Sequence, residues 1–230
     1  GENMEALSAE ITLTERQVRE QALALSQQRE AVGTGLEQAV EGELHELGMS
    51  AARFVIAFRR TPDPDGFITV GDMPVHLTPT GIEAVEFLFT SNPGEEPRPL
   101  AKIASGGELS RVMLALKSIL AAVAQVPTLV FDEVDTGVGG GVAEVVGRKL
   151  KRLTQASQVF CITHLPQIAS RGDVHFLIEK QVVAGRTVTT LRQLTAHERI
   201  DEIARMSGGL VITETTRKLA AELLRQGARD

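Results

Sequence analysis

Between Leu109 and Ile178 two kinds of apolar segment alternate, and this alternation constrains the fold more than any other feature of the chain. Leu109 to Ala124 places Leu109, Val112, Met113, Leu116, Ile119, Leu120 and Val123 at helical spacing, with no Gly or Pro. Thr128 to Phe131, bounded by Pro127, is a short and largely apolar run, and residues 158–162 form a second. Runs of that length read as buried strands. Val142 to Leu153 lies between them as an amphipathic helix, Pro166 to Ser170 as a short helix, and Val174 to Ile178 reads as a third strand. Strands alternating with helices predict an α/β fold with a parallel sheet and flanking helices.

Open α/β sheets bind ligands beyond the carboxyl ends of their strands, and the chemistry of this sequence gathers there. Asp132-Glu133 follows the first strand. An Asp so placed can hold Mg²⁺ through water, because Mg²⁺ gives up its waters reluctantly. A Glu beside it can orient or deprotonate an attacking water. His164 follows the second strand, where it can donate a hydrogen bond to a phosphate oxygen. Ser105-Gly106-Gly107-Glu108 opens the helix that starts near Leu109. Helix N-termini carry free N–H groups and partial positive charge, and two glycines let a phosphate approach the backbone. Ser105 with Glu108 three residues on is also a capping box, which needs no ligand, and a capped helix can still present its N–H groups.

The ordered set Ser-Gly-Gly-Glu-Leu-Ser-Arg (105–111), a strand ending in Asp-Glu, and Ile-Thr-His (162–164) resembles the ABC-type ATPase pattern of signature motif, Walker B strand and switch histidine. Four longer words narrow it: Lys102–Lys117, Phe131–Gly140, Ile162–Ser170 and Glu202–Gly209 resemble the RecN family of bacterial DNA-repair ATPases, relatives of the SMC proteins. The resemblance implies the C-terminal lobe of an ABC/SMC-type ATPase head over residues 51–230, preceded over residues 1–50 by the returning helix of a coiled coil. ATP would be sandwiched between two heads. Ser105, Gly106, Gly107 and Glu108 would meet the nucleotide of the opposite head, Asp132 would support Mg²⁺, Glu133 would be the hydrolytic base and His164 would sense the γ-phosphate. Asp135, Thr136, Gly137, Val138 and Gly139 would form the loop across the head–head interface. Nowhere does the sequence contain Gly-x-x-x-x-Gly-Lys-Ser/Thr, the phosphate-gripping P-loop. An N-terminal P-loop lobe is therefore expected as a partner, together with a second head and DNA. Two other readings compete: a non-enzymatic coiled-coil scaffold, and an SbcC-like nuclease-partner ATPase.

Composition excludes little and supports a globular protein. Hydrophobic residues make up 43% of the 230, aromatics only 3% with no Trp or Tyr, so base-stacking platforms for single strands are not expected. A net charge of −6 argues against a DNA-coating surface over the whole chain. The basic cluster Arg148-Lys149-Lys151-Arg152 reads as the last turn of a helix, where cations favour the dipole. Cys161 is the only cysteine, expected as a buried thiol. No apolar run reaches the length of a membrane span and no signal peptide is visible, which predicts a cytoplasmic, nucleoid-associated protein without a membrane partner.

The remaining segments read locally. Met4, Ile11, Val18, Leu25 and Val32 recur every seven residues, while Leu7, Thr14, Gln21 and Gln28 between them make a thin seam. A helix over 4–32 is predicted, interrupted by Gly33 and Gly35, with a second piece over 36–47. Residues 54–58, 67–70, 73–77 and 81–90 read as antiparallel strands, with a turn at 62–66 and a loop at 91–99. Thr187 to Leu194 is predicted as a further strand, turned at Ala184-Gly185. Residues 198–206 and 213–224 are closing helices, and Ser207-Gly208-Gly209 is a helix stop.

Overall fold

A computed structural model describes residues 2–121, 123, 126–183, 185–209 and 211–229. The chain divides into two compact units, residues 1–42 with 51–103 and residues 43–50 with 104–230. The end of the first predicted helix, at Ala122 and Ala124, and the turn residue Ala184 lie outside the described residues.

In the first unit, α1 (Glu2–Glu46, whose last turn belongs to the second unit) is followed by β1 (Arg53–Arg59), β2 (Ile68–Val70), β3 (Met73–Val75), β4 (Ala84–Thr90) and the two-residue β5 (Arg98–Pro99). The predicted break in α1 is absent: the helix runs unbroken through Gly33 and Gly35. An interior glycine costs a helix about 1 kcal/mol relative to Ala. At Gly33 the missing side chain is used, since a Cβ there would stand 3.1 Å from Cζ of Phe58. The antiparallel strands are as expected: β1 pairs with β4 from Arg53↔Thr90 to Arg59↔Ala84, and β2 pairs with β3. Ala22 of α1 packs with Ile68, Val75 and Ile82 in a small core. Polar anchors run along the same helix. Arg19 donates to the carbonyl of Phe67 at 2.6 Å, and Arg60 donates to Ser26 and Glu30. Two glutamates of α1 reach the strand edge, Glu41 accepting from the backbone N–H of Phe54 at 3.0 Å and Glu37 from that of Ile56 at 2.7 Å. The N-terminal part of the heptad, Met4, Leu7 and Ile11, is exposed.

The second unit holds α2 (Gly106–Leu120), β6 (Thr128–Phe131), α3 (Gly140–Leu153), β7 (Gln158–Cys161), the one-turn α4 (Pro166–Ala169), β8 (Phe176–Val183), β9 (Arg186–Gln193), α5 (Ala196–Gly208) and α6 (Glu214–Gly227). β6 and β7 are parallel neighbours, with Thr128 opposite Gln158 and Phe131 opposite Cys161. The third predicted strand does not join them. β8 instead pairs antiparallel with β9, Ile178 standing opposite Leu191. It runs on past Ile178 through the polar residues Glu179, Lys180 and Gln181, which suit an exposed hairpin rather than a strand buried on both faces. The chain is thus mixed α/β, with one parallel pair and antiparallel strands among the described residues. α5 and α6 both start on capping boxes, Thr195 with Glu198 and Thr213 with Thr216, and pack through Ile203, Ala204 and Ala220. α5 stops at Gly209, as predicted.

The basic cluster falls in the last turns of α3, as expected, and one member does more. Lys149 is 6% exposed and holds Glu43 at 2.6 Å and Glu46 at 2.7 Å. That tie fixes the last turn of α1 to α3 inside the second unit. Lys151 pairs with Asp173.

Candidate functional site

The parallel register brings two strand ends to one sheet edge. Phe131 and Cys161 are partners, and the N–H of Ile162 donates to the carbonyl of Phe131 at 2.9 Å, so Asp132-Glu133 and Thr163-His164 leave the sheet side by side. The start of α2 lies against the first of these ends. The hydroxyl of Ser110 donates to the carbonyl of Asp132 at 2.6 Å. Arg111 donates through Nη1 to the carbonyl of Thr136 at 2.7 Å, and its Nε points to Sδ of Met49. Burial holds the Arg111 guanidinium below its ordinary pKa, with Glu108 opposing the shift.

The two glycines of the Ser-Gly-Gly word admit this approach, Gly107 against backbone and Gly106 against a side-chain end. A Cβ on Gly106 would overlap Oε2 of Glu133, and a Cβ on Gly107 would stand 2.9 Å from Cβ of Thr136 and 3.0 Å from the carbonyl oxygen of Glu133. Glu133 itself adopts φ +57°, the left-handed region, and no other non-glycine among the described residues does so. Such backbone states cost about 1–3 kcal/mol and persist where surrounding contacts fix them. The Glu133 carboxylate therefore rests on Gly106, at the positive end of α2. Ser105 is the N-cap, its hydroxyl accepting from the N–H of Glu108 at 3.4 Å.

The second strand end is organised by a residue of the loop after β6. Asp135 is 3% exposed, and its Oδ2 accepts from the Thr163 hydroxyl at 2.6 Å and from the His164 N–H at 2.9 Å. The same oxygen lies 3.0 Å from Nδ1 of His164, whose side chain is 72% exposed. Thr163 Oγ1 in turn accepts from the N–H of Leu165, which caps α4. Cys161, expected to be buried, is only half-buried; burial, and then the charges of Asp135 and Asp132, push its thiol up to about 12, so it stays protonated at neutral pH.

Of the residues singled out in the sequence, the structure places Ser105, Gly106, Asp132, Glu133, Thr136, Gly137, Gly139 and His164 at the surface, Val138 and Glu108 half-buried, and Gly107 and Asp135 inside. Gly106 and Gly107 meet Glu133 and Thr136 directly, and His164 joins this loop through Asp135. Thr163 and Arg111 were not singled out. Their only signal was position, one before the strand-end His and one closing the helix word. Among the described residues no three His, Cys, Asp or Glu side chains converge as a metal cage. Asp132 offers an exposed carboxylate, which suits an Mg²⁺ held mainly by water and phosphate oxygens.

No family model matches the chain. The DNA repair protein RecN of Bacillus subtilis (strain 168) is 40% identical over 226 residues, which is 97% of this chain and 39% of that protein. RecN of Treponema pallidum (strain Nichols) is 43% identical over 225 residues, 98% of this chain and 38% of that protein. Over nearly its whole length the chain is similar to RecN proteins. The resemblance carried by the four sequence words is thus borne out, and the chain spans about two fifths of the length of the curated relatives it matches. Among solved structures, the Smc head domain with a coiled coil and joint from Pyrococcus yayanosii aligns over 75% of this chain and 29% of that one, at 16% identity and a TM-score of 0.47.

Proposed function

We propose that this chain is the C-terminal lobe of an SMC-like ATPase head that acts in DNA double-strand break repair and recombination, with ATP driving head dimerisation and hydrolysis ending it. The carrying observation is the convergence at one sheet edge of the α2 N-terminus, Asp132-Glu133 and, through Asp135, His164. The N-terminal part of α1 is the returning end of a coiled-coil arm. Ser105, Gly106, Gly107 and Glu108 meet the γ-phosphate of ATP on the opposite head, where the helix N-terminus favours negative charge. Asp132 holds Mg²⁺ through water, an ion that neutralises phosphate charge when bound. Glu133 takes the proton of the attacking water, and to do so its carboxylate leaves Gly106. His164 donates to the γ-phosphate. Thr136, Gly137 and Gly139 are exposed and carry the contact with the second head, while Asp135 and Val138 shape that loop from within.

The P-loop grip comes from a separate N-terminal lobe, because this sequence has none. Unpartnered apolar faces suit that partner. Val130 and Phe160 are register partners in the parallel pair and are exposed, as are Ile178 and Leu191 in the β8–β9 hairpin. DNA is the further partner, and a cytoplasmic, nucleoid-associated location goes with it. Among the described residues no helix is long and apolar enough to cross a membrane.

The test is ATP hydrolysis by this chain alone, then mixed with the P-loop lobe. The expected result is no turnover alone, turnover on mixing, and a loss of roughly 100-fold or more with Glu133→Gln, as for removal of a general base. Light scattering should show the Glu133→Gln heads accumulating as an ATP-bound dimer. A folded, ATP-bound mixture that does not hydrolyse would transfer the assignment to a non-enzymatic scaffold.

A further inference from the structure

Resting on the ATPase reading, we infer that Asp135 is a positioning residue for His164, and that it ties the placement of this histidine to the loop that meets a second head. Residues 162–165 belong to no helix or strand. Leu165 is tied to the start of α4 and to Thr163 Oγ1, and Ile162 to Phe131, while Thr163 and His164 are both held by one carboxylate oxygen of Asp135. Burying a carboxylate is costly unless strong donors compensate, and Asp135 receives two, from the Thr163 hydroxyl at 2.6 Å and the His164 N–H at 2.9 Å. The 3.0 Å approach to Nδ1 turns that edge of the imidazole inward and leaves the opposite nitrogen to a ligand.

Asp135 is also part of the loop. Its carbonyl accepts from the N–H of Val138, and the carbonyl of the next residue, Thr136, is held by Arg111 of α2. The two residues Asp135 and Thr136 thus join the signature helix, the loop over 136–139 and the strand-end histidine. A head that presses on Gly137 or Gly139 therefore acts on His164 through two strong bonds and no intervening solvent.

Two measurements on the complete protein test this. Hydrogen exchange at the His164 amide should accelerate roughly tenfold or more in Asp135→Ala, which removes the acceptor, and stay within about threefold in Asp135→Asn, whose carbonyl can accept the same bonds. In hydrolysis, Asp135→Ala and His164→Ala should each lower kcat with little change in KM for ATP, and the double variant should match His164→Ala alone, because residues acting as one unit are not additive. Asp135→Asn should recover much of kcat. Unchanged exchange in Asp135→Ala, or two losses that multiply, would overturn the inference. Should Asp135→Ala fail to fold, Thr163→Val carries the exchange test, with an intermediate acceleration expected and no acceleration counting against it. A complete protein that hydrolyses no ATP would remove the ATPase reading, whereas the exchange data would still decide whether Asp135 holds His164.

Discussion

Gly106 and Gly107 are adjacent and look interchangeable in the sequence, but their surroundings differ in stiffness. A methyl group on Gly106 meets the far end of a flexible side chain, Oε2 of Glu133, which can swing away. On Gly107 it meets the backbone of Glu133 and Cβ of Thr136, which cannot move without shifting the loop. Gly106→Ala should therefore change stability by less than about 1 kcal/mol, the helical preference for Ala offsetting the displaced carboxylate. Gly107→Ala should cost about 1–3 kcal/mol, the usual penalty of overpacking, with urea unfolding as the measurement. Roles at this scale were legible where the partners are close in sequence, as with Ser105 capping Glu108 three residues on. The hold of Asp135 on Thr163 and His164 spans 28 and 29 residues, and no spacing rule reaches that far. The left-handed backbone of Glu133 was equally hidden, since a Glu carries no conformational signal of the kind a Gly does.

Helices and strands were read correctly where a single period ran through them, and misread where one residue was allowed to outvote the period. Gly33 suggested a break in α1, but it is the contact point for Phe58. Residues 174–178 were read as a member of the parallel sheet from a short apolar run, although the polar continuation of β8 through Glu179 to Gln181 and the turn expected at Ala184-Gly185 both point to the hairpin. The tie between α1 and α3 makes a pH prediction. A hydrogen bond from Lys149, followed by its charge, holds the Glu46 carboxyl below its ordinary value of 4.5. A carboxyl depressed on folding stabilises fully above its unfolded pKa, and the contribution is lost as pH falls through the folded value. Lys149→Met should therefore lower stability at pH 7, by about 1 kcal/mol given the exposure of Glu46. The gap between the two proteins should narrow as pH falls below about 4.5, in urea midpoints measured across that range.

For the whole molecule the amount of apolar surface left outside is the telling quantity. Val130 is 68% exposed on a strand whose neighbours would ordinarily bury it, and Leu191 is 65% exposed in the hairpin. An environment-sensitive hydrophobic dye should bind this chain and be displaced when the P-loop lobe is added, in step with the appearance of hydrolysis. Dye binding that does not change on mixing would show that the lobe docks elsewhere. The resemblance was legible because its four words occur in order, whereas the architecture was only partly so, since β1 and β6 find their partners across intervening elements. One feature of the first unit also limits what length changes the molecule can accept. Glu37 and Glu41 serve Ile56 and Phe54, so four residues of helix are matched to two of strand. The match works because four helical rises span about 6 Å and two strand rises about 6.6 Å. Helix and strand are thus geared together like a rack and pinion. One residue inserted between the two glutamates turns the helix by about 100° and disengages a tooth, so evolution can lengthen this helix toward its N-terminus freely and within the geared turn hardly at all.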